Sequence, residues 1–197
     1  MANELYPIFL KADSFNILIV GGGEVALEKL TFLLKSSPSA KVTLVGKEIN
    51  SEIKTLAHKH TSVELIERGF FNEDLTEMQL AIIATEDHKL NRLIQKEAKE
   101  RGILVNVADT PELCDFYMGS IVTKGDLKIG ISTNGKSPTI AKRLREFFNE
   151  LLPDELDDLI SNMQLIRNGI DGDFSTKVKT LNKLTQDLVD TQKASRP

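Results

Sequence analysis

The chain has 197 residues, 41 % hydrophobic and 27 % charged, with a formal net charge of −4. That is the profile of a soluble globule with a real core, not of a disordered chain or a general nucleic-acid binder. The single cysteine, Cys114, excludes an internal disulfide and fits a reducing compartment.

The predicted elements alternate between the periods of strand and helix. Residues 17–20, Ile-Leu-Ile-Val, predict a first strand that breaks into Gly21-Gly22-Gly23-Glu24-Val25-Ala26. Gly21, Gly23 and Ala26 fit G-x-G-x-x-G/A, the turn that brings a dinucleotide's pyrophosphate onto a helix N-terminus. The bland alternative is a glycine-rich turn that serves packing alone. In the helix that follows, Ala26, Leu30, Leu33 and Leu34 share one face, and Ser36-Ser37-Pro38-Ser39 ends it. Residues 42–45 and 63–66 predict the second and third strands, with a helix over 49–58 between them. A wholly apolar fourth strand at 80–84, a helix over 89–100 closed by Gly102, and a fifth strand at 103–107 complete the series. Apolar strands alternating with helices predict an α/β fold, a Rossmann-like doubly wound parallel sheet covered on both faces.

The rhythm changes after residue 113. Segments 118–123 and 127–133 predict a β-hairpin around Lys124-Gly125-Asp126. Ser137 suits a helix N-cap and Pro138 the first helical position, opening a helix that runs to about 152. Residues 154–190 predict two amphipathic helices separated by Asn168-Gly169-Ile170-Asp171-Gly172, and residues 193–197 a frayed tail. Three segments are expected: a dinucleotide-binding domain over 1–113, a hairpin segment over 114–150 and a helical region over 151–197.

Ligands of an open parallel sheet bind beyond the carboxyl ends of its strands. The loop after strand two, Gly46-Lys47-Glu48, has glycine where an NAD-binding protein usually offers an acid to the ribose. Glu48 stands two residues late, and Lys47 could instead meet a 2′-phosphate. After strand four, small Ala84 and Thr85 would let a cofactor pass close to the backbone, and Asp87 suits a helix cap. After strand five, Asp109 precedes a Thr-Pro turn. It could act as a base if partial burial raised its pKa, or serve only an Asx turn.

Segment 119–145 carries six basic residues (Lys124, Lys128, Lys136, Lys142, Arg143, Arg145) and one acid, Asp126. In its helix, Ile140, Leu144, Phe147, Phe148 and Leu151 form an apolar stripe, with Lys142 and Arg145 opposite and Arg143 on a flank. Those cations could hold a molecule with several carboxylates, or simply face solvent. His58, His60 and His88 show no metal-ligand spacing with the cysteine, so no metal is expected. Cys114 reads as a small buried apolar group.

Several of these features together resemble the precorrin-2 dehydrogenase family, which forms sirohydrochlorin and also occurs as the N-terminal part of fused siroheme synthases. The resemblance runs through Tyr6-Pro7-Ile8-Phe9-Leu10, Ile19 to Ala26 with Lys29, Ala84-Thr85-Glu86-Asp87 with Asn91, and Asn106-Val107-Ala108-Asp109. It ends in Gly135-Lys136-Ser137-Pro138 with Ala141, Arg143, Leu144 and Arg145. It implies an NAD-dependent oxidoreductase of siroheme (porphyrin-type tetrapyrrole) biosynthesis, with precorrin-2 as substrate. It implies no nucleic-acid or membrane partner, and a homodimer through the segment after the Rossmann domain, for which the unpaired hairpin edge gives a physical route. Asp109 matches the family's essential aspartate. Glu24 and Val25 match contacts at the pyrophosphate, beside Gly21, Gly22 and Gly23; Lys47 and Glu48 match contacts beside the adenosine, and Thr85 is expected along the cofactor's path. Ser137, Lys142, Arg143 and Arg145 are the expected substrate contacts. Thr133 stands where some fused members carry a phosphorylated serine. The competing readings are a bifunctional enzyme that also inserts iron and a non-catalytic NAD-sensing regulator.

No stretch approaches 18 consecutive apolar residues and no signal-peptide pattern opens the chain, so a cytoplasmic location is expected.

Overall fold

The computed structural model describes residues 3–154 and 156–186. Five parallel strands form one sheet: β1 (Asn16–Val20), β2 (Lys41–Gly46), β3 (Val63–Glu67), β4 (Leu80–Ile83) and β5 (Leu104–Val107). Their order is β3-β2-β1-β4-β5. Between them run α1 (Glu24–Ser36), α2 (Ser51–His58) and α3 (His88–Glu100). This is the Rossmann-like, doubly wound arrangement expected.

Strand periodicity explains why one apolar run can serve two cores. Ile17 and Ile19 point to one face of β1, and Leu18 and Val20 to the other. The first pair packs with Val42, Leu44 and Ile82 against Ala26, Leu30 and Leu34 of α1 and Ile53 of α2. The second pair packs with Val45, Ala81 and Ile83 against Ile94 and Ala98 of α3. All four of these side chains are therefore buried. The chain leaves β1 toward β2 on one side and returns to β4 on the other, so the order reverses between β1 and β4. Their carboxyl ends open a crevice there.

Beyond the sheet lie the hairpin strands β6 (Ser120–Lys124) and β7 (Leu127–Ile131), then α4 (Pro138–Leu151), α5 (Leu156–Gly169) and α6 (Phe174–Leu184). Asn168 and Gly169 were expected in a linker but form the last turn of α5; the break falls at residues 170–173, where Asp173 caps α6 through Thr176 N–H at 2.8 Å. Residues 193–197, the expected frayed tail, lie outside the described residues. Residue contacts divide the chain into two compact units, one of residues 1–121 and 130–143, the other of 122–129 and 144 onward. Within the second, Lys124 pairs with Asp154, and Asp157 accepts the N–H of Asp126 at 2.8 Å, holding the hairpin turn.

The apolar stripe of α4 does not bury in this chain. Of the helix's residues only Ala141 is buried, while Ile140, Leu144, Phe147 and Leu151 are exposed. Among the described residues no helix is long and apolar enough to cross a membrane.

Candidate functional site

A cleft of about 500 Å³ opens at the carboxyl ends of β1, β2 and β4, within the size range of small-molecule sites (roughly 300–1,000 Å³). Its floor is the glycine turn. Gly21 has φ +130°, and a Cβ there would stand 2.2 Å from the Ala84 carbonyl oxygen. Gly22 is tighter still, since a Cβ would come within 1.9 Å of the Glu48 carbonyl. Only a residue without a side chain lets the β1, β2 and β4 loops meet this closely. Gly23, in contrast, has nothing within 4 Å of its Cβ position. It is the N-cap of α1 and offers no side-chain bond, so the helix's first N–H groups stay free for an anion. A pyrophosphate fits that cradle.

The walls come from the loops that follow. The Gly21 N–H donates to Val45 O at 2.8 Å and Asn50 N–H to Gly22 O at 2.9 Å. Asn50 also donates from Nδ2 to Glu24 at 2.6 Å while capping α2 through Glu52 N–H. Glu67, at the end of β3, accepts Ile49 N–H and Lys54, and Lys54 foremost holds its carboxyl below the usual range. Asp87 caps α3 through Lys89 and Leu90 N–H, as its residue type suggested; the Leu90 N–H is the main cause of its lowered pKa. Thr85 is clamped by Asn91, which is 3 % exposed. The Thr85 hydroxyl donates to Asn91 Oδ1 at 2.5 Å, and Asn91 Nδ2 donates to Thr85 O at 2.9 Å.

Gly21, Gly22, Gly23, Glu24, Val25, Lys47, Glu48 and Thr85 all line this one cleft. Gly46 stands where an NAD-binding protein usually has an acid, and a Cβ there would press on the glycine turn at 3.0 Å from the Gly22 nitrogen. Sequence reasoning missed Arg68, which lines the same cleft. Its guanidinium forms two bonds to Asp74 (2.6 and 2.9 Å) and lies 4.9 Å from the centre of the Phe71 ring. An Arg six residues before an Asp carries no motif, so nothing short of the folded loop could have found it.

Arg68 holds the Asp74 carboxyl below its ordinary range. The stabilisation is therefore complete above the unfolded-state value near pH 4 and drains away as pH falls through the lower folded value. Asp74→Asn is expected to lower the melting temperature by a few degrees at neutral pH, with the gap to wild type closing in acid; thermal unfolding across pH 2–7 checks this.

The remaining site residues stand elsewhere. Asp109, two residues past the end of β5, is not among the cleft's walls and is exposed. It adopts φ +56°. Ser137 caps α4, its hydroxyl accepting Ile140 N–H at 3.3 Å, and Thr133 Oγ1 bonds both the N–H and the carbonyl of Ser137. Lys142 and Arg143 are exposed, and Arg145, in the second unit, is half-buried. Cys114 is half-buried against the second core, and hydrogen bonds surround its sulfur as well. Among the described residues no three His, Cys, Asp or Glu side chains gather as a metal site.

Residues 8–120 match a family model described as "Putative NAD(P)-binding", and residues 124–150 match one described as sirohaem biosynthesis protein central. The siroheme synthase of Psychrobacter arcticus is 39 % identical over 178 residues, 89 % of this chain and 31 % of that protein. The siroheme synthase of Nitrosomonas europaea is 35 % identical over 150 residues, 76 % of this chain and 31 % of its own. The chain thus spans about a third of the length of the curated relatives it matches. A solved structure described as SirC, precorrin-2 dehydrogenase, shares the fold with a TM-score of 0.72 and 22 % identity, over 91 % of this chain and 89 % of that one.

Proposed function

Because the chain belongs to the NAD(P)-binding family whose model spans residues 8–120, we propose that its cleft binds NAD and that the protein oxidises precorrin-2 to sirohydrochlorin in siroheme biosynthesis. The observation that carries the reading is the side-chain-free cradle at the crevice between β1 and β4, with an aspartate leaving β5 at the same carboxyl edge of the sheet. The similarity to siroheme synthases and to a precorrin-2 dehydrogenase supplies the substrate.

The oxidation removes two hydrogens from the tetrapyrrole, one as hydride and one as a proton. Bound NAD supplies the hydride acceptor. Gly21, Gly22 and Gly23 would let the pyrophosphate approach, Glu24 and Val25 would bring the first turn of α1 to it, Lys47 and Glu48 would stand beside the adenosine, and small Thr85 would let the cofactor pass close to the backbone. The Asp109 carboxylate is the proton acceptor. Ser137, Lys142, Arg143 and Arg145 hold the carboxylates of the substrate, the arginines by paired N–H···O bonds. Residues 1–113 bind the cofactor, 114–150 serve substrate and dimer contacts, and the helices α5 and α6 form an appendage. The setting is the cytoplasm.

The active species is a homodimer. Four large apolar side chains of α4 left in solvent, Phe147 at 55 % exposure among them, form a face that a second copy would cover. Sedimentation should give twice the chain mass, and Phe147→Asp should shift it toward the monomer.

The deciding experiment mixes the protein with NAD and precorrin-2 and follows NADH absorbance. Stoichiometric NADH with sirohydrochlorin supports the reading. NAD binding without turnover would leave a regulator on the same fold.

A further inference from the structure

Asp109 holds a left-handed backbone, φ +56°, which aspartate tolerates better than most residues and which its surroundings here support. Those surroundings are the loop from Val107 to Cys114. The Cys114 sulfur sits at its neck, accepting the Val107 N–H at 3.2 Å. Its thiol hydrogen faces two carbonyls, Val107 O at 3.2 Å and Thr110 O at 3.4 Å. Thr110 tightens the turn from inside, its N–H donating to Val107 O at 3.3 Å and its hydroxyl to Ala108 O at 3.2 Å.

Two neighbours pin the neck to the sheet. Asn106, 6 % exposed, donates from Nδ2 to Phe116 O at 2.8 Å and reaches the Cys114 sulfur at 3.6 Å. Asp115 donates its N–H to Val105 O at 2.7 Å and accepts the Val105 N–H at 3.1 Å. The last residues of β5 are thus tied to residues 114–116, and Asp109 stands on the arc between. Burial pushes the Cys114 thiol up, so it stays protonated and remains a donor.

We propose that Cys114 is a positioning residue for Asp109: its sulfur, bonded at Val107 and Thr110, sets the turn that aims the Asp109 carboxylate. The inference rests on Asp109 being the proton acceptor. A cysteine kept for packing would be replaced without loss by valine; one kept for its hydrogen bonds would be replaced best by serine.

Full-length Cys114→Ala, Cys114→Val, Cys114→Ser and Asp109→Ala are compared by NADH production, NAD affinity and thermal unfolding. The Ala and Val variants should lose about 10-fold in kcat, because small displacements of a reacting group are expensive. Their NAD affinity should stay within about twofold of wild type, and Ser should recover to within about threefold of wild-type kcat. Wild-type kcat in Cys114→Val beside an inactive Asp109→Ala would overturn the positioning role alone. So would a Ser variant as impaired as Ala, with kcat and NAD affinity falling together. Wild-type turnover in Asp109→Ala would overturn both this role and the reading of Asp109.

Discussion

Asp109→Ala is expected to lose turnover by roughly 10²- to 10⁴-fold, the range typical of removing a general base, while NAD binds almost as in wild type. The split follows from where the side chain stands. Asp109 is not among the residues that line the glycine cleft, so its removal takes nothing from the pyrophosphate cradle. Asp109→Asn is the sharper companion. Asparagine keeps the size and tolerates the left-handed backbone that Asp109 adopts at φ +56°, but its amide accepts no proton. Loss in both variants assigns the effect to proton transfer; activity in Asn would assign Asp109 to loop geometry alone. NADH production against precorrin-2, with NAD affinity by calorimetry, reads both quantities.

Substitution in the glycine turn should have the opposite signature. Gly22→Ala places a methyl 1.9 Å from the Glu48 carbonyl oxygen and 2.9 Å from its carbon. One of the two loops must retreat, and the loop that moves carries Lys47 and Glu48 at the cleft's edge. Gly21→Ala adds a positive φ to a 2.2 Å approach to Ala84 O. Either change should weaken NAD binding by about 100-fold or more, as expected for losing two bonds to a charged group at about 1.5 kcal/mol each. Gly23→Ala separates cofactor from fold. Its methyl meets nothing within 4 Å among the described residues but stands at the open side of the cradle, so the melting temperature should hold while NAD affinity falls. Unchanged affinity in all three would remove the cradle from the reading.

Much of this was legible along the chain because it is local. Strand and helix periods need only neighbours in sequence, and the buried faces of β1 and α1 follow from the apolar run Ile17 to Val20 and the spacing of Ala26, Leu30 and Leu34. Caps are local too: Asp87 and Ser137 cap α3 and α4, as their side-chain chemistry favours. Cys114 shows the limit. As a residue type it reads as a small apolar filler, and only the return of the chain from Val107 surrounds its sulfur with N–H and carbonyl groups.

From the residues alone came an α/β chain, a glycine turn shaped for a dinucleotide and a cluster of cations after it, since composition and spacing decide these. The tertiary fold decided which distant groups meet: Arg68 with Asp74 in the cleft wall, Asn91 around Thr85, Asn106 with Phe116, Gly22 against Glu48. It also left the apolar side of α4 in solvent, although the stripe itself was plain in the sequence. The physical reason is range. Backbone preference acts over a few residues, whereas contact and burial depend on how the whole chain closes on itself.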